Sequence, residues 1–205
     1  MSTIDELRAR RRAHALLGAL LVQGLDPARL EAVRALPTLA EHLPRPVDLD
    51  ALAAEHHALL GRELPPYAGV FLDDEGLVGR GKAAAILRAA HAAVGVACPD
   101  DPGPDHLGVA LQLLAVLVDA ELDARAHDDA ADVRTLGGWQ RRVLDEALLP
   151  WMPPLLVALR GQPPSLWTWV VELAVGVAAD HRHADGSLPT VEAVEVAPGG
   201  LEHLL

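Results

Sequence analysis

The most restrictive feature of this sequence is a run of ten residues, 109–118, in which only Gln112 is polar. The run reads VALQLLAVLV and does not alternate as a half-buried strand does. A helix built from it is apolar on every side, so it must also be buried on every side. The chain has 205 residues, which is enough to surround such a helix with others in one domain.

The predicted fold is an all-α, single-domain bundle of roughly eight to ten helices, because nearly every segment repeats its apolar residues with helical spacing. Aromatic residues make up only 3% of the chain, so the core must consist mainly of leucine, alanine and valine. We expect one domain over residues 1–182 and a loosely structured tail over residues 183–205. Thr3 and Glu6 form a capping box for the first helix, which is expected to end at Gly24.

The stretch 62–81 contains two prolines and four glycines, and it is predicted to form no regular helix. It also holds Tyr67 and Phe71, the only tyrosine and the only phenylalanine of the chain. A loop that carries scarce aromatic residues either packs into the core or is shaped to bind something.

The negative charge of the chain favours a cationic partner and argues against nucleic acid as a partner. The formal net charge is −12, and no basic stripe with interleaved aromatic residues is present. The single cysteine, Cys98, excludes an internal disulfide framework and fits a reduced, cytoplasmic setting.

Residues 8–22, RARRRAHALLGALLV, imitate a twin-arginine export signal, with arginines followed by an apolar run. Acidic residues precede the arginines, however, His14 interrupts the run, and no A-x-A cleavage site follows. The run is also too short to span a bilayer. We therefore expect an ordinary first helix and no stable membrane insertion.

No catalytic or cofactor-binding motif of high specificity is present in the sequence. His56 and His57 are adjacent, so on a helix they point about 100° apart, which is unfavourable for one metal site. His181 and His183 fit the C-terminal end of a helix, where the dipole favours positive charge. We expect a protein that is not an enzyme, with no cofactor and no bound metal.

The alternative is a magnesium-dependent, all-α isoprenoid diphosphate enzyme. Residues 128–132, DDAAD, match the DDxxD pattern of such enzymes, with Asp128, Asp129 and Asp132 as the metal ligands. Such a pocket needs aromatic walls, which this chain can hardly supply, and a second metal-binding motif is missing. The simpler interpretation is that these carboxylates begin a helix, where the dipole favours them.

Asp105 and His106 stand in a PDHLG turn directly before the buried helix. As a helix cap, Asp105 would accept hydrogen bonds from the free N–H groups of Leu107 or Gly108, an interaction worth about 1 kcal/mol. An acid/base couple is disfavoured because adjacent residues rarely point into one site and no nucleophile is near. The cap explains neither the presence of His106 nor the prolines that precede it. A role of this turn at the edge of a peptide-binding site therefore remains an alternative.

Three segments, in this order, resemble the TorD/DmsD/NarJ family of redox-enzyme maturation chaperones. They are PPYAGVFLDDEGLVGR at 65–80, PDHLGVALQLLAVL at 104–117 and VLDEALLPWMPPLLVAL at 143–159. The first is similar to the family's proline–aromatic loop, the second to its PxDH(I/L)G turn and the third to its LLPWxP segment. Two departures are Gly103, where glutamate is frequent, and Ala147, where histidine is usual.

The resemblance implies a TorD-like, all-helical chaperone of the cytoplasm. Such proteins bind the N-terminal leader, often of the twin-arginine type, of a molybdopterin oxidoreductase and assist cofactor insertion and assembly before export or membrane attachment. The implied partners are this leader peptide and the catalytic subunit that carries it. The resemblance is compatible with a monomer or a homodimer, and it does not identify the client.

Carried over by motif, eight residues are expected to line the leader-binding groove. They are Tyr67, Phe71, Leu72, Pro104, Asp105, His106, Leu107 and Gly108. Because a leader presents arginines followed by an apolar segment, its partner needs an apolar trough with acids at one end. The acids expected to serve are Asp73, Asp74, Glu75 and Asp105.

Overall fold

The computed structural model describes residues 2–73 and 76–184, and within them the chain forms ten α-helices and no strand, as predicted. The helices are α1 (Ile4–Gln23), α2 (Pro27–Arg34), α3 (Pro37–Ala40), α4 (Leu49–Ala58), α5 (Ala68–Leu72), α6 (Gly81–Ala93), α7 (Leu107–Ala126), α8 (Ala130–Arg142), α9 (Met152–Arg160) and α10 (Leu166–Ala184). Two π-helical turns, Leu59–Glu63 and Val143–Leu148, continue α4 and α8. The predicted tail lies, from residue 185 on, outside the described residues.

The first helix begins and ends where the sequence predicts. The Thr3 hydroxyl accepts from the Glu6 amide at 3.2 Å, and the Glu6 carboxylate accepts from the Thr3 amide at 2.7 Å. Gly24 ends the helix with φ 70°, in the left-handed region that favours glycine. None of the described helices has the length and hydrophobicity needed to cross a bilayer.

The central helix of the bundle is α7, as its apolar run predicts. Val109, Leu111 and Leu117 are at most 4% exposed, although they point to different sides of the helix. The helices α1 and α8 form the most extensive contacts with α7, and α6 packs on it as well. The start of α7 is therefore a fixed point on which other segments can be positioned.

Two glycines bring the backbones of α1 and α7 into close contact. A Cβ atom on Gly108 would lie 2.8 Å from the carbonyl oxygen of Gly18 and 2.6 Å from Cγ2 of Val22. A Cβ atom on Gly18 would lie 2.7 Å from the carbonyl oxygen of Gly108. Real Cβ atoms do not approach backbone oxygens this closely, so a side chain at either position forces the helices apart.

We expect Gly108→Ala to lower the free energy of unfolding by about 1–3 kcal/mol, because it overpacks this contact. Gly176→Ala in α10 is the matched control, since nothing lies within 4 Å of the added Cβ. That control should gain up to about 1 kcal/mol, because alanine is the better helix former. Urea denaturation of both variants measures the difference, and equal stability of the two would contradict the close contact.

A chain of buried polar side chains ties α10 to α1 and α8. The Gln140 amide donates to Glu121 at 2.7 Å, so its oxygen faces His181 Nε2 at 2.9 Å. His181 Nε2 therefore carries the hydrogen, and its Nδ1 accepts from His14 Nε2 at 2.9 Å. This leaves His14 Nδ1 as a buried acceptor with no partner among the described residues. The sequence had suggested an ordinary helix end for His181, yet it is 1% exposed.

The prediction of no regular helix over 62–81 was wrong, because this stretch contains α5, Ala68–Leu72. Five residues are too few to be stable by helix propensity alone. The first amides of α5 instead find acceptors on Asp105, which lies far away in the sequence. The helix therefore owes its existence to tertiary hydrogen bonds.

Candidate peptide-binding surface

Asp105 is the residue that holds the 62–81 stretch in place. Its side chain is fully buried, and its carboxylate accepts from the amides of Gly69 at 3.2 Å and Gly79 at 2.9 Å. Its backbone carbonyl accepts from the Ala68 amide at 3.0 Å. The prediction that Asp105 caps α7 was therefore wrong, because the carboxylate turns back to cap α5 and to bind the loop behind it.

His106 takes the capping position that had been predicted for Asp105. Its Nδ1 accepts a hydrogen bond from the Gly108 amide at 3.1 Å, at the first turn of α7. Burial, together with the nearby His56, lowers the pKa of His106 to about 4. A neutral ring keeps the Nδ1 lone pair that the cap requires.

A short antiparallel pairing joins the first two of the three segments. The Ala68 amide donates to the Asp105 carbonyl, and the Leu107 amide donates to the Pro66 carbonyl at 2.8 Å. The ring of Tyr67 packs edge-to-face on His106, with 4.9 Å between the centroids. Burial raises the pKa of the Tyr67 hydroxyl, and the carboxylates of Asp101 and Asp105 raise it further.

The third segment reaches the same place through Trp151. The rings of Phe71 and Trp151 are stacked with 5.6 Å between their centroids and 21° between their planes. Trp151 is fully buried, and its indole N–H donates to the Ala147 carbonyl at 2.6 Å. Trp151 was absent from the predicted site, although its LLPWMPP surroundings were the available signal.

The exposed surface of this region is apolar. Four side chains of the 62–81 stretch keep 40–47% of their surface exposed: Val70, Leu72, Leu77 and Val78. The backbone segments that carry the two pairs touch, because a Cβ atom on Gly69 would be only 2.4 Å from the Leu77 carbonyl oxygen. We call these four residues the apolar ledge. An apolar surface on a firmly held loop is typical of a contact site for another molecule.

A cleft of about 250 Å³ adjoins the apolar ledge at Leu72. Asp73, Arg80 and Lys82 line one side, and Glu146 lines the other, where Lys82 binds it at 2.8 Å. The hydrogen bond from Lys82 lowers the pKa of Glu146 against a small opposing effect of burial. The volume suits one or two peptide side chains and is below that of a typical ligand pocket.

The eight predicted site residues lie on α5 with the residue before it and on the turn that begins α7, two segments that pair at Tyr67 and His106, and they differ in exposure. Leu72 is exposed, and Tyr67 and Phe71 are half-buried. The remaining five are buried: Pro104, Asp105, His106, Leu107 and Gly108. Leu107 and Gly108 belong to the contact between α7 and its neighbours. These two residues therefore support the site through packing and do not contact a bound peptide.

The four predicted acids also differ in position. Asp73 lines the cleft beside the ledge, and Asp105 is buried beneath it. Asp74 and Glu75 lie outside the described residues. Because Asp105 is buried, the arginines of a bound partner cannot contact it at the surface.

The DDxxD-like segment has the geometry of a helix start. Asp128 lies in the turn before α8 with φ 55°, and Asp129 accepts from the amides of Ala131 and Asp132. The three aspartates therefore do not share one helix face. Among the described residues no group of three acidic, histidine or cysteine side chains is arranged to hold a metal ion.

Comparison with known proteins gives one match and two negative results. The family model described as "Nitrate reductase delta subunit" matches residues 26–157, about two thirds of the chain. The match includes the first two segments and all but two residues of the third. No curated protein and no solved structure matches significantly. The chain thus belongs to the nitrate reductase delta subunit family, the NarJ- and TorD-type chaperones of redox-enzyme maturation.

Proposed function

We propose that this chaperone acts in the cytoplasm by binding the N-terminal leader of a molybdopterin oxidoreductase catalytic subunit on the apolar ledge. Binding keeps the subunit from export or membrane attachment while its cofactor is inserted and the enzyme is assembled. The chaperone contributes contact and no catalysis. The observation that carries the proposal is the exposure of Val70, Leu72, Leu77 and Val78 on two touching backbone segments, which a buried carboxylate holds at Gly69 and Gly79.

The energetics favour such a ledge as a peptide contact. Covering what remains exposed of a valine or leucine side chain stabilises a complex by about 0.5–1 kcal/mol at about 25 cal/mol per Å². Four such side chains contribute about 2–4 kcal/mol of the about 8 kcal/mol that micromolar binding requires, so other contacts must add to them and little can be lost in ordering the loop. Asp105 already holds the amides of Gly69 and Gly79 in the free protein, so the peptide does not have to position the backbone at these two residues.

The proposal predicts that Leu72→Ser combined with Val78→Ser weakens leader binding by about tenfold or more, because two apolar contacts are lost. The probe is a synthetic peptide with an Arg-Arg pair followed by about twelve apolar residues, and Kd is measured by isothermal titration calorimetry. Both positions are exposed, so the free energy of unfolding should change by less than about 0.5 kcal/mol.

The matched control is Val96→Ser combined with Val157→Ser. These valines are 42% and 64% exposed and lie outside the ledge, so the control removes the same kind of surface elsewhere. Its Kd should equal that of the unmodified chain. Equal weakening by both double variants, or by neither, would reject the ledge as the binding site.

A further inference from the structure

A second cleft lies at the other end of α6, and the proposed function does not yet use it. It has a volume of about 520 Å³, within the range of ligand sites. Its apolar wall includes Val94, Leu136 and Trp139, and its polar wall includes Asp123, Asp129 and Asp132. Neither lysine nor arginine is among the described residues that line it. We call it the acidic cleft.

The charge of the acidic cleft is not neutralised from within the described chain. Asp123, Asp129 and Asp132 make no ion pair with a described lysine or arginine, whereas other exposed acids such as Asp119 and Glu172 do. Arg125 lies between the lining residues Ala124 and His127 in the sequence, but its guanidinium is held by Glu121 at 2.6 Å.

Helix ends reinforce the preference of this cleft for positive charge. The last residues of α6 line it, and so do residues of the last two turns of α7. The C-terminal ends of both helices carry partial negative charge. The opposing positive end of α8 is already engaged by Asp129, which caps it.

The aromatic wall adds a preference for guanidinium over ammonium. Arg142 lies 5.5 Å from the centre of the Trp139 ring, so this ring accepts a planar cation in the present structure. An arginine that enters the cleft can combine contact with the indole and hydrogen bonds to carboxylates. A lysine can use the carboxylates but stacks less well.

The acidic cleft and the cleft beside the apolar ledge lie near opposite ends of α6. Lys82 and Ala83 of this helix line the cleft beside the ledge, and Ala93 and Val94 line the acidic cleft. The helical rise of about 1.5 Å per residue separates these two pairs by about 15 Å. A second run of helix, α8 with the π-helical turn, also extends from the acidic cleft to Glu146.

This spacing fits a peptide whose charged and apolar parts are neighbours in sequence. About five residues in extended conformation, or about ten in a helix, cover 15 Å. We infer that the acidic cleft binds the arginines of the same leader whose apolar segment lies on the apolar ledge. The inference rests on the proposed function for the identity of the peptide, but the cleft and its charge stand independently.

The test compares charge removal in the cleft with charge removal elsewhere. Asp123→Asn with Asp132→Asn should weaken binding of the Arg-Arg leader peptide about tenfold at about 50 mM salt, and less at higher salt, where exposed charges are screened. The control, Asp50→Asn with Glu63→Gln, removes the same charge from exposed positions on α4 and its π-helical turn. It should leave Kd within about twofold.

A second readout locates the arginines without relying on the ledge. In the NMR spectrum the indole N–H signal of Trp139, assigned by its loss in Trp139→Phe, should shift when N-acetyl-Arg-Arg-amide is added. The Lys-Lys analogue should shift it less at the same concentration. The cleft variant should abolish the shift, and the control variant should keep it.

The outcomes separate the two proposals. If the ledge variant weakens binding of the full peptide and the cleft variant does not, the proposed function is supported and the role of the acidic cleft in binding arginine is overturned. Failure of the full peptide to bind the unmodified chain overturns the proposed function. In that case the short Arg-Arg peptide alone tests whether the acidic cleft binds arginine. A Trp139 signal that does not shift overturns this inference.

Discussion

Replacing Asp105 with alanine is expected to lower the free energy of unfolding by about 3–5 kcal/mol. The carboxylate accepts two backbone N–H groups, and hydrogen bonds to a charged group contribute about 1.5–3 kcal/mol each. The variant also leaves the amides of Gly69 and Gly79 without an acceptor in a buried or half-buried position. A simple helix cap at this position would cost only about 1 kcal/mol, so the magnitude distinguishes the two roles.

Urea denaturation of three variants gives the required comparison. Asp105→Asn retains one strong acceptor and should lose about half as much stability as the alanine variant. Asp100→Ala removes an exposed carboxylate from the same proline-rich approach and should change stability by less than about 0.5 kcal/mol. A loss of about 1 kcal/mol or less for Asp105→Ala would rule out its role as the anchor of the ledge.

Acidification is expected to destabilise the protein between pH 6.5 and pH 4. Burial and the nearby Arg10 lower the pKa of His14 to about 4, and burial, His14 and Arg10 together lower the pKa of His181 to about 2. Burial and His56 lower the pKa of His106 to about 4. The unfolded chain therefore binds more protons than the folded one in this window, so stability is present above pH 6.5 and falls as pH decreases.

The expected loss is large for a domain of this size. A lowering of the His14 pKa from 6.5 to about 4 alone corresponds to about 3 kcal/mol at pH 4. Urea midpoints measured at half-unit steps of pH give the slope, which counts the protons taken up on unfolding. His106→Asn keeps a capping acceptor and should reduce the slope near pH 5 by about one proton. A stability that is flat from pH 6.5 to pH 4.5 contradicts the buried neutral histidines.

The features of the fold that the sequence predicts are those in which local pattern and tertiary environment agree. The apolar run 109–118 could be accommodated only as a buried helix, and α7 is one. The capping box at Thr3 and the acidic start of α8 act through hydrogen bonds within a few residues. Such bonds can be inferred from spacing alone.

The features that were missed depend on contacts between distant segments. The helix α5 exists because Gly69 finds an acceptor 36 residues away, which no local pattern indicates. His181 seemed to belong to a charged helix end, but it follows Ala174 and Ala178 at helical spacing on the buried face. Extending that periodicity by one more turn was the signal that could have placed it in the core.

The contacts among the three segments agree with the order of the motifs, but the structural roles of the individual residues could not be predicted. The order of the three segments implied one shared region, and the contacts of Tyr67 with His106 and of Phe71 with Trp151 join them. Adjacent residues point in different directions, however, so spacing could not decide whether Asp105 or His106 caps α7. The acidic cleft combines the end of α7 with α8, and only the turn between these helices brings Asp123 and Trp139 together.

The contact between Gly18 and Gly108 also bears on self-recognition. The stretch 8–22 presents arginines followed by apolar residues, the same order of chemistry that the proposed client carries. A free segment of this kind would be a competitor for the chaperone's own surface. The backbones of α1 and α7 are in close contact, and Leu17, Leu20 and Leu21 are buried. The apolar side of α1 is therefore not accessible to another molecule. The fold thereby keeps this leader-like segment from competing with a client's leader for the proposed binding surface.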